Sequence, residues 1–312
     1  MITAIGLAAV YVLGALAYAA WALHAVAQGV PWVQVALGAV AALYAIPFLA
    51  VAYWYSMAWI HRSPRPPDKQ IGFTRAVGHF LTEVRCIAAS PIRMGFRWWF
   101  MREPAPAAAT APVLLLHGVG CNAGVWSHFM RRLAERGTGP LYTLSYGPPL
   151  SSIDAFADQV AVKVDAMIAA TGAAKVTLLC HSMGGLVARA YLRRYGGAKV
   201  RAAVTIGTPH RGSLLAGMFP GTCLAEMSPG GAWLERLAAT PPPANVRCVA
   251  LWSWHDSMVL PQLNARWEGA EEFEFIGVAH NAMLADAGVD ACVDRLLAQI
   301  HAEAVAEAAP AR

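Results

Sequence analysis

The string His181-Ser182-Met183-Gly184-Gly185 is where residue types and spacing in this chain first suggest chemistry. A serine hydroxyl is a poor nucleophile at neutral pH and needs an adjacent base, so its setting decides what it can do. The apolar run Val176-Thr177-Leu178-Leu179-Cys180 leads into Ser182, and a helical pattern follows to Tyr195. Strand, sharp serine-bearing turn and helix together make the setting of a nucleophile elbow. Such a turn lifts the hydroxyl above a sheet and places it at a helix N-terminus, where developing negative charge is favoured. Small residues two before and two after the serine let strand and helix approach each other. Gly184 fills the second place; Cys180 fills the first, where the motif G-x-S-x-G has glycine.

Further strings belong with this one. His117-Gly118-Val119-Gly120 follows the apolar run Val113–Leu116, and Cys121-Asn122-Ala123-Gly124-Val125-Trp126 continues it. Thr205-Ile206-Gly207-Thr208-Pro209-His210-Arg211-Gly212 has the form G-T-P-H-x-G. On these residues the chain resembles the α/β-hydrolase family, and within it bacterial lipases and esterases, over about residues 110 to 303. The resemblance implies a triad in the order serine, acid, histidine. Downstream of Ser182 stand His210, His255, His280 and His301. His210 comes too early and His301 lies inside the last helix. His280, in the loop after an apolar strand, is where the family places its base. Asp256 is the only aspartate between Ser182 and His280. It sits in the post-strand loop where the family places its acid, with Val259 three residues on. Six glutamates share the interval, none so well placed.

In this reading His280 takes the Ser182 proton and returns it to the leaving alcohol, while Asp256 fixes the imidazole tautomer. The backbone N–H groups of Val119 and Met183 are the expected oxyanion donors. His117, Gly118 and Gly184 are expected to support loop and elbow, and His181 has no proton-transfer role. Some bacterial lipases hold calcium through an aspartate soon after the histidine. Here Asn281-Ala282 follow and Asp286 is six residues on, so neither a metal nor a cofactor is expected. Six cysteines make no disulfide framework in a chain this long. Cys223 and Cys248 would pair only in an exported domain.

The elements that must position these residues read as strands alternating with helices. Expected strands are Val113–Leu116, Leu141–Leu144, Val176–Cys180, Val200–Ile206, Val246–Trp252 and Phe273–Val278. Expected helices cover 125–135, 153–170, 184–195 and 289–304. That alternation predicts an α/β fold: a doubly wound, mainly parallel sheet with helices on both faces. Residues 213–244 hold Met218, Phe219, Met227, Trp233 and Leu234 among several prolines. They suit either a small cap over an apolar acyl pocket or an ordinary excursion with a core-packed helix.

Ahead of this domain the composition changes. The chain has 312 residues, 24 of them basic and 19 acidic, and the first 61 carry no Asp, Glu, Lys or Arg. That split excludes a single soluble globular domain. Ile2–Ala27 and Trp32–Ile60 are each long enough for a bilayer core of about 30 Å, with the tight break Gln28-Gly29-Val30-Pro31 between them. A two-helix transmembrane hairpin is therefore expected over residues 1–61. The whole net charge of +5 falls in residues 62–103, with eight basic residues against Asp68, Glu83 and Glu103. Its position argues for the cytoplasmic side of a membrane with anionic lipids rather than for nucleic acid. Within it, Phe73, Val77, Phe80, Leu81, Val84 and Ile87 repeat at helical spacing, with Arg75, Glu83 and Arg85 on other faces. This helix either lies in the interface, with Arg97-Trp98-Trp99-Phe100 as an aromatic anchor, or packs on the catalytic domain with Trp98 and Trp99 buried.

The expected organisation is thus a hairpin (1–61), a basic juxtamembrane segment and linker (62–109) and a catalytic domain (110–312). The expected function is a membrane-anchored serine hydrolase of carboxylic esters with lipid or other apolar acyl groups. Its place is a bacterial inner membrane, multi-pass, with the catalytic domain on the cytoplasmic side. Two alternatives stay open: an acyltransferase or thioesterase using the same residues, and a non-catalytic membrane-tethered binding protein on the same fold. Oligomeric state is not readable from the sequence.

Overall fold

A computed structural model describes residues 2–105 and 107–308. Met1, Pro106 of the expected linker and the last four residues of the expected catalytic domain lie outside the described residues. Six strands form one sheet in the order β2-β1-β3-β4-β5-β6: β1 (Val113–Leu116), β2 (Leu141–Leu144), β3 (Val176–His181), β4 (Val200–Ile206), β5 (Arg247–Ser253) and β6 (Glu271–Phe275). Every pair is parallel.

The continuous apolar runs have a simple cause, since both faces of the sheet are covered. Successive side chains point to opposite faces. Leu114, Leu116, Leu178 and Cys180 pack with Phe156, Val160, Leu186 and Tyr191 on one side. Leu115, Leu179, Val204 and Val249 pack with Phe129, Leu133, Val293 and Leu297 on the other.

Among the described residues ten helices surround or precede the sheet: α1 (Ile2–Ala27), α2 (Trp32–Ile60), α3 (Phe73–Gly95), α4 (Arg97–Phe100), α5 (Ser127–Glu135), α6 (Ile153–Thr171), α7 (Met183–Tyr195), α8 (Thr222–Glu226), α9 (Ala232–Ala238) and α10 (Ala287–Ala308). α6 and α7 cover the first face; α5 and α10 cover the second. α6 starts cleanly because Ser152 Oγ accepts from Ala155 N–H, and it ends at Gly172 in the left-handed region.

α1 and α2 form an apolar helical pair, tied by a Tyr18 hydroxyl that donates to Val35 O at 2.6 Å. By length and composition one helix among the described residues, α2, is apolar enough to cross a membrane. It carries Pro47 within it, and Leu37, Ile46 and Leu49 are exposed.

α3 departs from its expected form. It runs eight residues past Ile87, through Pro91, and is wedged between α1 and α2 on one side and the sheet domain on the other. Its buried face carries Glu83, Val84, Ala88, Pro91 and Met94, while Phe73, Val77 and Leu81 point outward. Half of the expected apolar stripe is therefore on the surface, and an acid expected on a polar face is in the core. Of the two readings left open, α3 packs on the sheet domain as the second had it, but Trp98, Trp99 and Phe100 of α4 are 59%, 75% and 52% exposed rather than buried.

The segment 213–244 is a core-packed excursion. Cys223, Leu224, Met227, Trp233, Leu234 and Leu237 join the first core, leaving Met218 and Phe219 at the surface. All six cysteines are free thiols, Cys223 and Cys248 included.

Candidate active site

Four loops at the carboxyl ends of strands meet at one place, as ligand-handling residues do in open α/β sheets. They follow β1 (His117–Asn122), β3 (Ser182), β5 (Asp256) and β6 (His280). Ser182 has φ +57° and ψ −129°, a backbone conformation that a non-glycine residue rarely adopts. Ser182 N–H donates to Ile206 O at 2.9 Å, and the Thr208 hydroxyl donates to Ser182 O at 2.8 Å. A side chain on Gly184 would collide with Leu116 O and His117 O, so the elbow needs glycine there for α7 to reach β1.

Ser182 Oγ lies 3.0 Å from His280 Nε2. His280 Nδ1 lies 2.9 Å from Asp256 Oδ2 and 3.1 Å from Oδ1. Asp256 is fully buried, and its Oδ1 also accepts from Met258 N–H and Val259 N–H at 2.7 Å each. Burial alone would lower the His280 pKa, but the Asp256 carboxylate outweighs it and holds the imidazole above its ordinary value. Such a relay lets Nε2 accept a proton from the serine while Nδ1–H stays with the carboxylate. The three expected residues are therefore brought together in hydrogen-bonded order.

The G-T-P-H segment buttresses this relay. Gly207, at φ +57°, backs directly onto it, since a side chain there would stand 3.3 Å from Asp256 Oδ2 and from His280 Nδ1. His210 is a core histidine, 3.0 Å from Thr205 Oγ1 and stacked on Trp267. His181, whose pKa burial depresses to about 3, donates its Nε2–H to His280 O at 3.2 Å. His255 points away from the relay: its Nδ1 accepts from Gly277 N–H at 3.0 Å.

Val119 and Met183 line a cavity of about 310 Å³ together with His117, Gly118, Tyr146, Leu150, Phe156 and Cys223. His117 Nδ1 bonds Gly118 O at 2.8 Å, its ring stacks on Tyr146, and the Tyr146 hydroxyl donates to His117 O. Gly118 passes so close to the elbow that a side chain would stand 2.9 Å from Ser182 Cβ.

Several supporting residues were not anticipated. Gln262 Nε2 donates to Asp256 O at 3.0 Å, and its Oε1 accepts from Ser63 N–H at 2.9 Å. Glu83 reaches the site from α3. It accepts from Asn281 N–H, the Asn281 amide and Ala282 N–H at 3.0, 2.8 and 2.8 Å, and from the Ser257 hydroxyl at 3.2 Å. The available signal was slight: Glu83 is the lone acid between Asp68 and Glu103. No group of three or more His, Cys, Asp or Glu suited to a metal occurs among the described residues.

Comparison with known proteins places the fold. Residues 113–308 match the family model described as the alpha/beta hydrolase family. A triacylglycerol lipase of Burkholderia plantarii is 33% identical over 156 residues, covering 46% of this chain and 41% of the relative. A triacylglycerol lipase of Pseudarthrobacter phenanthrenivorans is 33% identical over 124 residues, covering 35% and 36%. The chain thus spans about two-fifths of the length of these curated relatives. Among solved structures, the mature form of Bacillus licheniformis lipase BlEst2 superposes with a TM-score of 0.55 at 16% identity, covering 62% of this chain and 95% of that one. Aspergillus fumigatus lipase B superposes with a TM-score of 0.50 at 16% identity, covering 61% and 52%. With its parallel sheet, serine elbow and matched family model, this chain belongs to the α/β-hydrolase family and is lipase/esterase-like within it.

Proposed function

We propose that the chain is a membrane-anchored serine hydrolase that cleaves carboxylic esters with apolar acyl groups through an acyl-enzyme on Ser182. The observation that carries this reading is the relay itself, Ser182 Oγ to His280 Nε2 at 3.0 Å and His280 Nδ1 to Asp256 at 2.9 Å. Ser182 attacks the ester carbonyl while His280 takes its proton. The N–H groups of Val119 and Met183 receive the oxyanion. The imidazolium then protonates the departing alcohol, and water hydrolyses the acyl-enzyme by the same steps in reverse. The partly apolar cavity beside Val119 and Met183 is the acyl pocket in this reading. The curated relatives carry the name triacylglycerol lipase, which favours a lipid ester.

The charge-free N-terminal pair, of which α2 alone has the length and composition of a span among the described residues, is the anchor. The basic residues between 62 and 103 set the catalytic domain on the cytoplasmic face of a bacterial inner membrane. A fluorophosphonate probe should label the detergent-solubilised wild type and not Ser182→Ala. An unlabelled wild type, or equal labelling of the two, ends this proposal. A chain-length series of acyl esters and phospholipids then assigns the substrate. A reporter active only outside the cytoplasm, fused after His61, should stay silent; activity reverses the orientation.

A further inference from the structure

We propose that Glu83, carried by α3, is a positioning residue for His280: its carboxylate holds the turn that bears the imidazole and sets a second negative charge behind the base. The inference rests on the hydrolytic reading above. Its geometric basis is a convergence of four donors on one side chain. Asn281 and Ala282 immediately follow His280, and both give their backbone N–H to Glu83. Ser257 immediately follows Asp256 and gives its hydroxyl to the same carboxylate. The Ser257 oxygen in turn accepts from His280 N–H at 3.4 Å. One side chain from outside the sheet domain therefore ties the acid loop to the histidine loop.

Three of the four donors are N–H groups, which cannot accept, so the carboxylate must offer lone pairs to all of them. Glu83 is fully buried, which pushes its carboxyl above the ordinary carboxylate range, while the hydrogen bonds from Asn281 and Ala282 and the facing His280 pull it back down; no Arg or Lys forms an ion pair with it among the described residues. A buried charge without a cation is costly unless hydrogen bonds and a nearby charge compensate it. The hydrogen bonds are those four. The cation is the His280 imidazolium, formed when the base takes the serine proton or, at low pH, a proton from solvent.

The groups facing the pair are few. Asp256, Ser182 and His181 face His280, the last with ring centroids 4.9 Å apart. Asn281, Ser257, Tyr55 of α2 and Cys86 of α3 surround Glu83. Of these, Asp256 and Glu83 are the two whose negative charges favour the imidazolium.

The test is the pH profile of kcat/KM on a soluble p-nitrophenyl ester, with the full chain in detergent, for wild type and Glu83→Gln. Gln keeps the shape but turns an N–H₂ group toward at least one donor. The expected result is a kcat lower by about 10–100-fold, the scale of a misplaced catalytic group, with KM changed little. The acid limb should move to lower pH, because losing a negative charge eases deprotonation of His280. Glu83→Asp, which keeps the charge on a shorter arm, should recover part of the acid-limb position and part of kcat. A folded Glu83→Gln with wild-type kcat and acid limb overturns the proposal. So does a loss of kcat with an unmoved acid limb, since that marks packing alone. If Glu83→Gln does not melt cooperatively, Glu83→Asp carries the test: its shorter arm draws the charge back from His280, so a reduced kcat with the acid limb moved part of the way to lower pH supports the proposal, and an unchanged kcat or an unmoved acid limb overturns it. Fluorophosphonate labelling of wild type runs alongside. An inert wild type sinks the hydrolytic reading; an active one with an indifferent Glu83→Gln sinks this inference only.

Discussion

Asp256 is held by more than the imidazole it faces. Two backbone amides at 2.7 Å fix one of its oxygens, so Asn at this position would keep its place while presenting an N–H₂ group to His280 Nδ1 or to those amides. Either choice opposes the tautomer that leaves Nε2 free to take the serine proton. In the proposed reaction Asp256→Asn should lower kcat by about 10³–10⁴-fold. The pH dependence has a definite sign. His280 serves as a base only when neutral, and its pKa stands above the ordinary value because the carboxylate outweighs burial. Wild-type activity should therefore fall as pH drops through that raised value. Without the carboxylate, burial remains and the acid limb should move to lower pH. A kcat/KM profile on a soluble ester measures both effects, and an unmoved acid limb would contradict the electrostatic role. Ser182 and Asp256 stood out as candidates because each lies in a loop directly after a buried apolar strand, and His280 because it follows the apolar stretch Phe273–Val278, although the strand itself ends at Phe275. Glu83 did not, because an acid on an amphipathic helix reads as a solvated face, and only contacts with residues nearly 200 positions away reverse that.

Among the elements, the buried strands were read nearly to the residue, because a strand covered on both faces is an unbroken apolar run. The edge strand was misread. Phe273–Val278 is the more apolar stretch, yet the strand is β6, Glu271–Phe275. Its glutamates are accommodated at the sheet edge: Glu271 pairs with Arg247, and Glu274 accepts from Trp254 Nε1–H at 2.9 Å. Val278, by contrast, is buried in the loop that leads to His280. α3 continues beyond the apolar repeat read up to Ile87, and its later buried residues Ala88, Pro91 and Met94 lie where the helix meets the loop after β1. There the Asn122 amide donates to Met94 O at 3.1 Å. Gly124 admits the helix: a side chain would collide with Arg93 O and stand 2.9 Å from Met94 Cα, both backbone atoms that cannot rotate away. Gly124→Ala should therefore cost about 1–3 kcal/mol of stability, as overpacking does. Thermal or denaturant unfolding in detergent reads this directly. A variant as stable as wild type would mean that α3 is not seated as described.

At the scale of the whole molecule, composition divides the chain into a charge-free start, a basic stretch and an electrically neutral remainder. Composition could not reveal that the basic stretch is bound into the neutral one. The matched family segment begins at residue 113, after α3, so the family pattern omits this helix as well. Yet Ser63 bonds Gln262 and Leu263, Glu83 bonds the turn after His280, and Met94 O holds Asn122. The linker from Pro104 to Pro112 looks like a domain boundary, but cutting there removes the acceptor for Asn281 N–H and Ala282 N–H. It also removes the apolar cover given by Val84, Ala88 and Met94. A buried donor stripped of its acceptor costs about 1–3 kcal/mol, and several are stripped at once. A chain of residues 110–312 should therefore fail to label with fluorophosphonate. A chain of residues 62–312 keeps Ser63 and α3 and should label at close to the full-length rate in detergent. Detergent is needed because Phe80, which meets Phe48 and Tyr55 of α2 edge-on, is uncovered. If the 110–312 chain labels as fast as the full chain, α3 belongs to the anchor; if only the 62–312 chain labels, α3 belongs to the active site it leans on.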